Sequence, residues 1–209
     1  MRTDPTILIV TDPLCSWCWG MTPAVDAVRQ ALPAGIALDL VLGGINLDST
    51  QVVGSYGRRL MHKLWKEVAD TTGQTFASLP TEDYIHNSLP VCLAVEAVRQ
   101  LVGHPPFDFL HDLQRRFFAL GENTTDSSRL RSVVQDHGLD VMSFDRLVTD
   151  PSTRARVQFQ FEMAHAFGTH ALPSVLVRRG TRTRLLAGGY LDADGLMALI
   201  ETERNRSGE

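Results

Sequence analysis

Cys15-Ser16-Trp17-Cys18 places two thiols two residues apart, directly after the apolar run Thr6–Val10 and the turn Thr11-Asp12-Pro13-Leu14. A thiolate attacks disulfides and a thiol does not, and a free cysteine with a pKa near ~8.5 is mostly protonated at neutral pH. A helix N-terminus changes that balance, because its unpaired N–H groups and positive dipole end favour an anion. If a helix starts at Cys15, that sulfur is the attacking one. Cys18, one turn on, is within reach but covered by the helix, so it would resolve the mixed disulfide. Ser16 can donate a hydrogen bond to the thiolate, and Trp17 and Trp19 offer apolar surface to a polypeptide substrate. The rival chemistries are weaker. A structural zinc site wants four Cys or His ligands, and only Cys92 and scattered histidines remain. Two inert buried thiols would not call for this spacing after a first strand.

The surrounding elements must present that pair at a strand-to-helix turn. Thr6–Val10 is β-branched and apolar and reads as a buried strand. Residues 15–32 read as a helix through Val25, Val28 and Leu32, kinked at Pro23 and stopped by Pro33. Ile36–Leu42 is a second strand, closed by Gly43-Gly44. From about Thr50 to Gly168 the signals are helical. Val91, Ala94, Val95, Val98 and Leu101 share one face, as do Phe107, Leu110, Leu113, Phe117 and Leu120. Asp126 is a cap for a helix closed by Gly138, and Asp150-Pro151 opens another that runs to Gly168. Asn87 or Ser88 caps the helix bearing Cys92. Ser174–Arg178 and Arg182–Ala187 flank a turn at Gly180-Thr181 and read as a hairpin. Asp192 caps a last helix, and the tail from Asn205 should fray. The order is βαβ, a helical block, then ββα. Residues 1–48 and 169–209 are expected to share one sheet, with 49–168 as an all-helical insertion.

In order and across nearly the whole chain, "ILIVTDPLCSWCWG", Pro23, the helical block and "GTHALPSVLV" with its hairpin and helix resemble the DsbA-like branch of the thioredoxin superfamily. More narrowly, Asp-Pro-x-Cys-x-Trp-Cys and "NSLPVCLAVEAVRQ" are similar to cytoplasmic DsbA-family proteins. The resemblance implies an α/β thioredoxin fold and thiol–disulfide exchange through Cys15 and Cys18. It also implies a cis bond before Pro173, on a loop facing the cysteines, with the backbone of Leu172 free to pair with an extended substrate. Ser16 and Trp17 are the dipeptide that tunes the redox potential. Ala171 stands where the family often has glycine. No acidic partner under Cys18 is evident, and Asp12 reads as the residue that ends the strand before Pro13.

Ordinary hydrophobic content (44%), a net charge of -4 and a pI near 6.0 describe a soluble globular chain with no affinity for nucleic acid or anionic membranes. The N-terminal apolar run is too short for a secretory signal, and no stretch is long enough to span a membrane, so a cytoplasmic location is expected. In a reducing compartment a CxxC is catalytic or metal-binding rather than structural. No cofactor or metal is expected; glutathione is compatible as a co-substrate, and the partners are cysteine-containing proteins or small thiols. Cys92 reads as a small buried hydrophobe. His170 reads as a solvated loop residue, and Lys63, Lys66, Arg115 and Arg116 as solvated helix faces. A glutathione-dependent isomerase of the same fold and a non-enzymatic thioredoxin-like adaptor are the alternatives. The intact cysteine pair argues against the isomerase.

Overall fold

Thr6–Thr11 (β1) has no polar side chain between Ile7 and Val10, so both of its faces must be covered, and all four of those residues are buried. The computed structural model describes residues 4–167 and 171–206; the expectations for Gly168, His170 and the last residues of the tail lie outside them. β1 is one of the two inner strands of a four-stranded sheet ordered β2-β1-β3-β4. It runs parallel to Ala37–Leu42 (β2) and antiparallel to Ser174–Arg179 (β3), which forms a hairpin with Arg182–Gly188 (β4). Helix α1 (Ser16–Gln30) makes the β1-to-β2 crossover, and α8 (Ala193–Asn205) follows the hairpin. The strand and helix order is the one the sequence pattern predicts, and the arrangement is the α/β thioredoxin-like fold that the resemblance implies.

Between β2 and β3 lie α2 (Ser55–Thr72), α3 (Leu89–Val102), α4 (Phe107–Leu120), α5 (Ser127–Asp136), α6 (Val141–Thr149) and α7 (Pro151–His165). The capping carboxylates sit where the sequence puts them. Asp126 accepts from Ser128 N–H and Arg129 N–H, Asp150 from Ser152 N–H and Asp192 from Gly195 N–H. Each such cap is worth about 1 kcal/mol. At α3 the side-chain bond comes from Asn87, whose Oδ1 accepts from Leu89 N–H at 2.9 Å; the Ser88 hydroxyl turns to the backbone of Ile45 instead. Arg116 is not a solvated face. It pairs with Asp112 on its own helix and with Asp136 on α5, so it ties the two helices together.

The apolar core is continuous between the sheet and the helices that lie between β2 and β3. Ile7, Ile9, Val175 and Val177 from one sheet face join Val25 and Val28 of α1, Leu196 and Ile200 of α8, and the Phe109, Leu113 and Phe117 stripe of α4 in one cluster. The opposite face, with Leu8, Val10, Val41 and Leu176, packs on Ala164 of α7.

One detail locks the segment after α2 to α1. Pro23 has no N–H to give to the carbonyl of Trp19, four residues earlier. Gln74, just beyond the left-handed Gly73 that ends α2, donates its side-chain amide to that carbonyl at 3.0 Å. Next to it, the Trp19 indole N–H donates to Thr75 O at 3.1 Å and the ring stacks on Phe118. Trp19 is therefore core and not substrate surface: its polar handle and its apolar body are both used inside the protein. Gln74→Ala should lower the unfolding free energy by about 1–2 kcal/mol, read from the urea midpoint. No change would show that solvent replaces the amide at the Trp19 carbonyl.

Candidate active site

The turn from β1 into α1 is held by Asp12. Its Oδ1 accepts from Leu14 N–H at 2.8 Å, and its backbone carbonyl accepts from Cys15 N–H and from the Gln114 side chain on α4, each at 3.2 Å. Cys15 is thereby set as the N-cap of α1, in an extended conformation. Its Sγ accepts from Cys18 N–H at 3.3 Å, and its S–H reaches Leu172 O at 3.7 Å. A thiolate formed on Cys15 meets a helix-terminal amide, the arrangement that favours an anion. Among the described residues, the amide of Cys18 donates to that sulfur, and Ser16 is buried in the first turn of the helix.

Cys18 lies deeper. Burial pushes its thiol well above the ordinary range, and negative charge on Cys15 pushes it further, while the Thr11 hydroxyl and the Asp12 amide pull the other way. Both cysteines are free thiols. Cys15 borders the open groove described below and Cys18 does not.

Leu172 and Pro173 close the site from the sheet side. The bond between them is cis. Pro173 O accepts from Gly189 N–H at 2.8 Å, which ties the loop to the end of β4. The Leu172 side chain rests on Gly43, where a Cβ would come within 2.7 Å of its methyl groups. A side chain at residue 43 would therefore push the Leu172 side chain out of this position. Trp17 is half-buried, borders the groove, and has its ring 6.1 Å from that of Tyr190.

Asp12 does more than end a strand. Its carboxyl is fully buried and is pushed up to about 6, chiefly by desolvation. Its Oδ2 accepts from the Cys92 thiol of α3 at 3.6 Å, and Ser88 also bonds it. Cys92 is buried as expected, but as the hydrogen-bonding partner of a carboxyl and not as a plain hydrophobe. Nothing in the spacing of residues 12 and 92 reveals that contact; it arises because α3 packs under the β1–α1 turn.

A groove of about 530 Å³ opens beside Cys15, between the start of α1 and the first half of α2. His86 borders it. Burial lowers the imidazole to about 4, so it is neutral near pH 7, and its buried Nδ1 has no hydrogen-bond partner among the described residues. Among the described residues no group of three His, Cys, Asp or Glu could hold a metal ion. No helix of the described residues is long and apolar enough to cross a membrane.

A family model described as Thioredoxin matches residues 9–183. A solved candidate protein disulfide isomerase from Nitrosomonas europaea is similar over 97% of this chain and 98% of its own, at 25% identity and a TM-score of 0.88. The cytosolic disulfide reductase DsbM from Pseudomonas aeruginosa is similar over 96% and 99%, at 24% identity and a TM-score of 0.76. Its structure with GSH gives 25% identity, the same coverage and a TM-score of 0.73. Among curated proteins, the ClpXP adapter protein SpxH from Bacillus subtilis is 19% identical over 172 residues, 81% of this chain. The chain spans 56% of the length of that relative.

The buried Asp12 carboxyl makes a pH prediction. Its folded-state value of about 6 lies above the ordinary 3.8 of an unfolded chain. Between those values the folded state binds more protons than the unfolded state, so stability falls as pH rises through that window and the loss persists above it. Asp12→Asn removes the titration. Relative to wild type, its unfolding free energy should gain on the order of 2–3 kcal/mol between pH 4 and pH 7, measured by urea denaturation at each pH. A difference independent of pH would contradict a raised Asp12.

Proposed function

The chain belongs to the thioredoxin family, in the DsbA-like branch of the superfamily, and on that premise we propose that it is a thiol–disulfide oxidoreductase in which Cys15 attacks and Cys18 resolves. The supporting observation is the Cys15 sulfur itself, set between the amide of Cys18 and the carbonyl of Leu172. In the forward direction the Cys15 thiolate attacks one sulfur of a partner disulfide. A Cys15–partner disulfide forms, and the partner's other sulfur leaves as a thiolate and takes a proton. Cys18 then loses its proton and attacks Cys15 Sγ. The Cys15–Cys18 disulfide forms, the partner leaves fully reduced with two electrons gained, and the reverse sequence oxidises a dithiol.

The high position of the Cys18 thiol keeps it protonated until Cys15 has given up its negative charge to a mixed disulfide. Burial first, and the charge on Cys15 second, hold the proton on Cys18, so Cys15 is the one that attacks first. Leu172 and Pro173 form the wall along which an extended partner backbone lies, with Leu172 supplying backbone groups. Ser16 and Trp17 shape the surroundings of the sulfur. We read residues 49–168 as an inserted helical unit that walls the opposite side of the site. The partners are cysteine-containing proteins and small thiols, and the likeness to DsbM, solved with GSH, supports glutathione among the latter. The same likeness, to a reductase named cytosolic, supports a cytoplasmic location. An adaptor role is the second reading, on the likeness to SpxH.

Equilibration in glutathione buffers, acid quench, alkylation and intact mass should show the Cys15–Cys18 disulfide titrating as one two-electron step, tenfold in equilibrium constant per about 30 mV. Cys15→Ser should lower disulfide exchange by on the order of 10³-fold or more. Cys18→Ser should accumulate a stable mixed disulfide on Cys15. A Cys15→Ser variant that keeps its cellular role would favour the adaptor.

A further inference from the structure

The end of the sheet away from Cys15 gathers positive charge, in a chain whose net charge is -4. Arginines occupy positions 178, 179, 182 and 184 on the β3–β4 hairpin and 204 and 206 at the end of α8. The register puts three of them on one face. Arg179 stands opposite Arg182 and Val177 opposite Arg184, and Val177 belongs to the core shared with Leu196 and Ile200 of α8. Alternation along a strand therefore turns Arg179, Arg182 and Arg184 to the α8 side. Glu203 follows Leu196 and Ile200 on the inner stripe of that helix and is buried. Arg184 and Arg206 both bond its Oε1, and Arg179 reaches its Oε2 at 3.5 Å. One carboxylate carries one negative charge, and Arg184 and Arg206 by themselves outnumber it. Arg182 is exposed and has no ion pair among the described residues. Like charges opposite each other on paired strands cost stability. The Arg184 and Arg206 side chains remain 48% and 58% exposed, so donors of both are open to solvent. The other acids of α8 stand apart: Glu201 lies ~200° round the helix from Glu203, and Asp192 and Asp194 are at its opposite end.

We propose that this cluster binds a soluble phosphorylated small molecule, through a phosphoryl group held by the guanidiniums of Arg182, Arg184 and Arg206 over the buried Glu203. Shape, size and charge choose the ligand. A guanidinium presents its N–H donors in a flat fork that matches two oxygens of a phosphoryl group. Two donors on one carboxylate oxygen lie within roughly 6 Å of each other, twice a hydrogen-bond length. Arg184 and Arg206 can therefore bond one tetrahedral anion together. A phosphate monoester concentrates about -1.5 to -2 charges there near pH 7. An acidic peptide spaces single charges along its chain at ~3.3 Å per residue and would reach past a cluster this tight. Glu203 acts as a positioning residue: it fixes Arg184 and Arg206 before the anion arrives, which lowers the cost of ordering them. The site is remote from the thiols. Thr6 pairs with Arg178 at one end of β1, and about 17 Å of strand separate it from Thr11 at the other. The competing reading is that the arginines only blunt the exposed edge of β4 against strand pairing, which calls for no ligand.

The test is calorimetric titration of the full-length protein with pyrophosphate, at an ionic strength held constant with sodium chloride. Binding should saturate at one anion per chain. Arg184→Gln should weaken it at least ~10-fold, equivalent to about 1.4 kcal/mol. Arg182→Gln removes no ion pair among the described residues, so its fold is kept, and it should weaken binding at least ~3-fold. Arg129→Gln takes an exposed charge from α5 and should change the affinity by less than about twofold, because distant exposed charges are screened. The Nε–H resonances of Arg184 and Arg206 should shift in step with the calorimetric occupancy. Heat no greater than that of dilution into sodium chloride, or equal weakening by Arg129→Gln, would overturn the phosphate site and leave edge protection as the reading. Flotation with phosphatidylglycerol vesicles should recover no protein. Recovery that Arg184→Gln abolishes would assign the phosphoryl group to a lipid and overturn the soluble ligand. None of these outcomes depends on Cys15, so the oxidoreductase reading stands or falls separately.

Discussion

The backbone N–H of Cys18, aimed at the Cys15 sulfur across 3.3 Å, is the interaction on which the rest of the site depends. It exists only if α1 starts at Ser16 and not a residue earlier or later. The start of α1 is fixed from three directions. Asp12 clamps the preceding turn through Leu14 N–H and Cys15 N–H. Gln114 of α4 reaches the Asp12 carbonyl. Gln74 fills the gap that Pro23 leaves at the Trp19 carbonyl. Two of these three supports come from the helical stretch between β2 and β3, which therefore helps hold the start of α1 as well as bordering it. Its shared core with the sheet has the same consequence: those helices cannot pack differently without moving α1.

Burial divides the work among the thiols. Cys15 sits at a helix end and borders a groove, Cys18 lies under it, and Cys92 is held by the carboxyl of Asp12. Desolvation raises both Cys18 and Cys92 well above the ordinary thiol range. A buried carboxyl is itself a cost, offset here by Leu14 N–H, Ser88 and Cys92. The opposed walls of Cys15 then differ in kind. One offers the backbone of the Leu172 loop, the other an apolar surface without charge.

Much of this was legible in the residues. The CxxC after an apolar strand, the Asp126, Asp150 and Asp192 caps and the terminal hairpin are local signals, and each has a local cause. What the sequence hid was pairing over distance. Trp19 looked like substrate surface because an aromatic next to a CxxC is ambiguous until Thr75 is seen to take its indole N–H. Asp12 looked like a strand end because Asp-Pro marks turns, and its thiol partner lies eighty residues away on α3. Arg116 looked solvated because its carboxylate on α5 is twenty residues on. Helix α2 buries only Trp65 and Val68, and its Leu60, Met61 and Leu64 line the groove beside Cys15, a placement that helical periodicity does not reveal.

The most direct measurement is site-resolved alkylation of the reduced native protein, with iodoacetamide labelling read by peptide mass at each cysteine. The account predicts that Cys15 is labelled first, and that Cys18 and Cys92 react only once denaturant opens the fold. Labelling of Cys18 or Cys92 in the native protein as fast as Cys15 would contradict it.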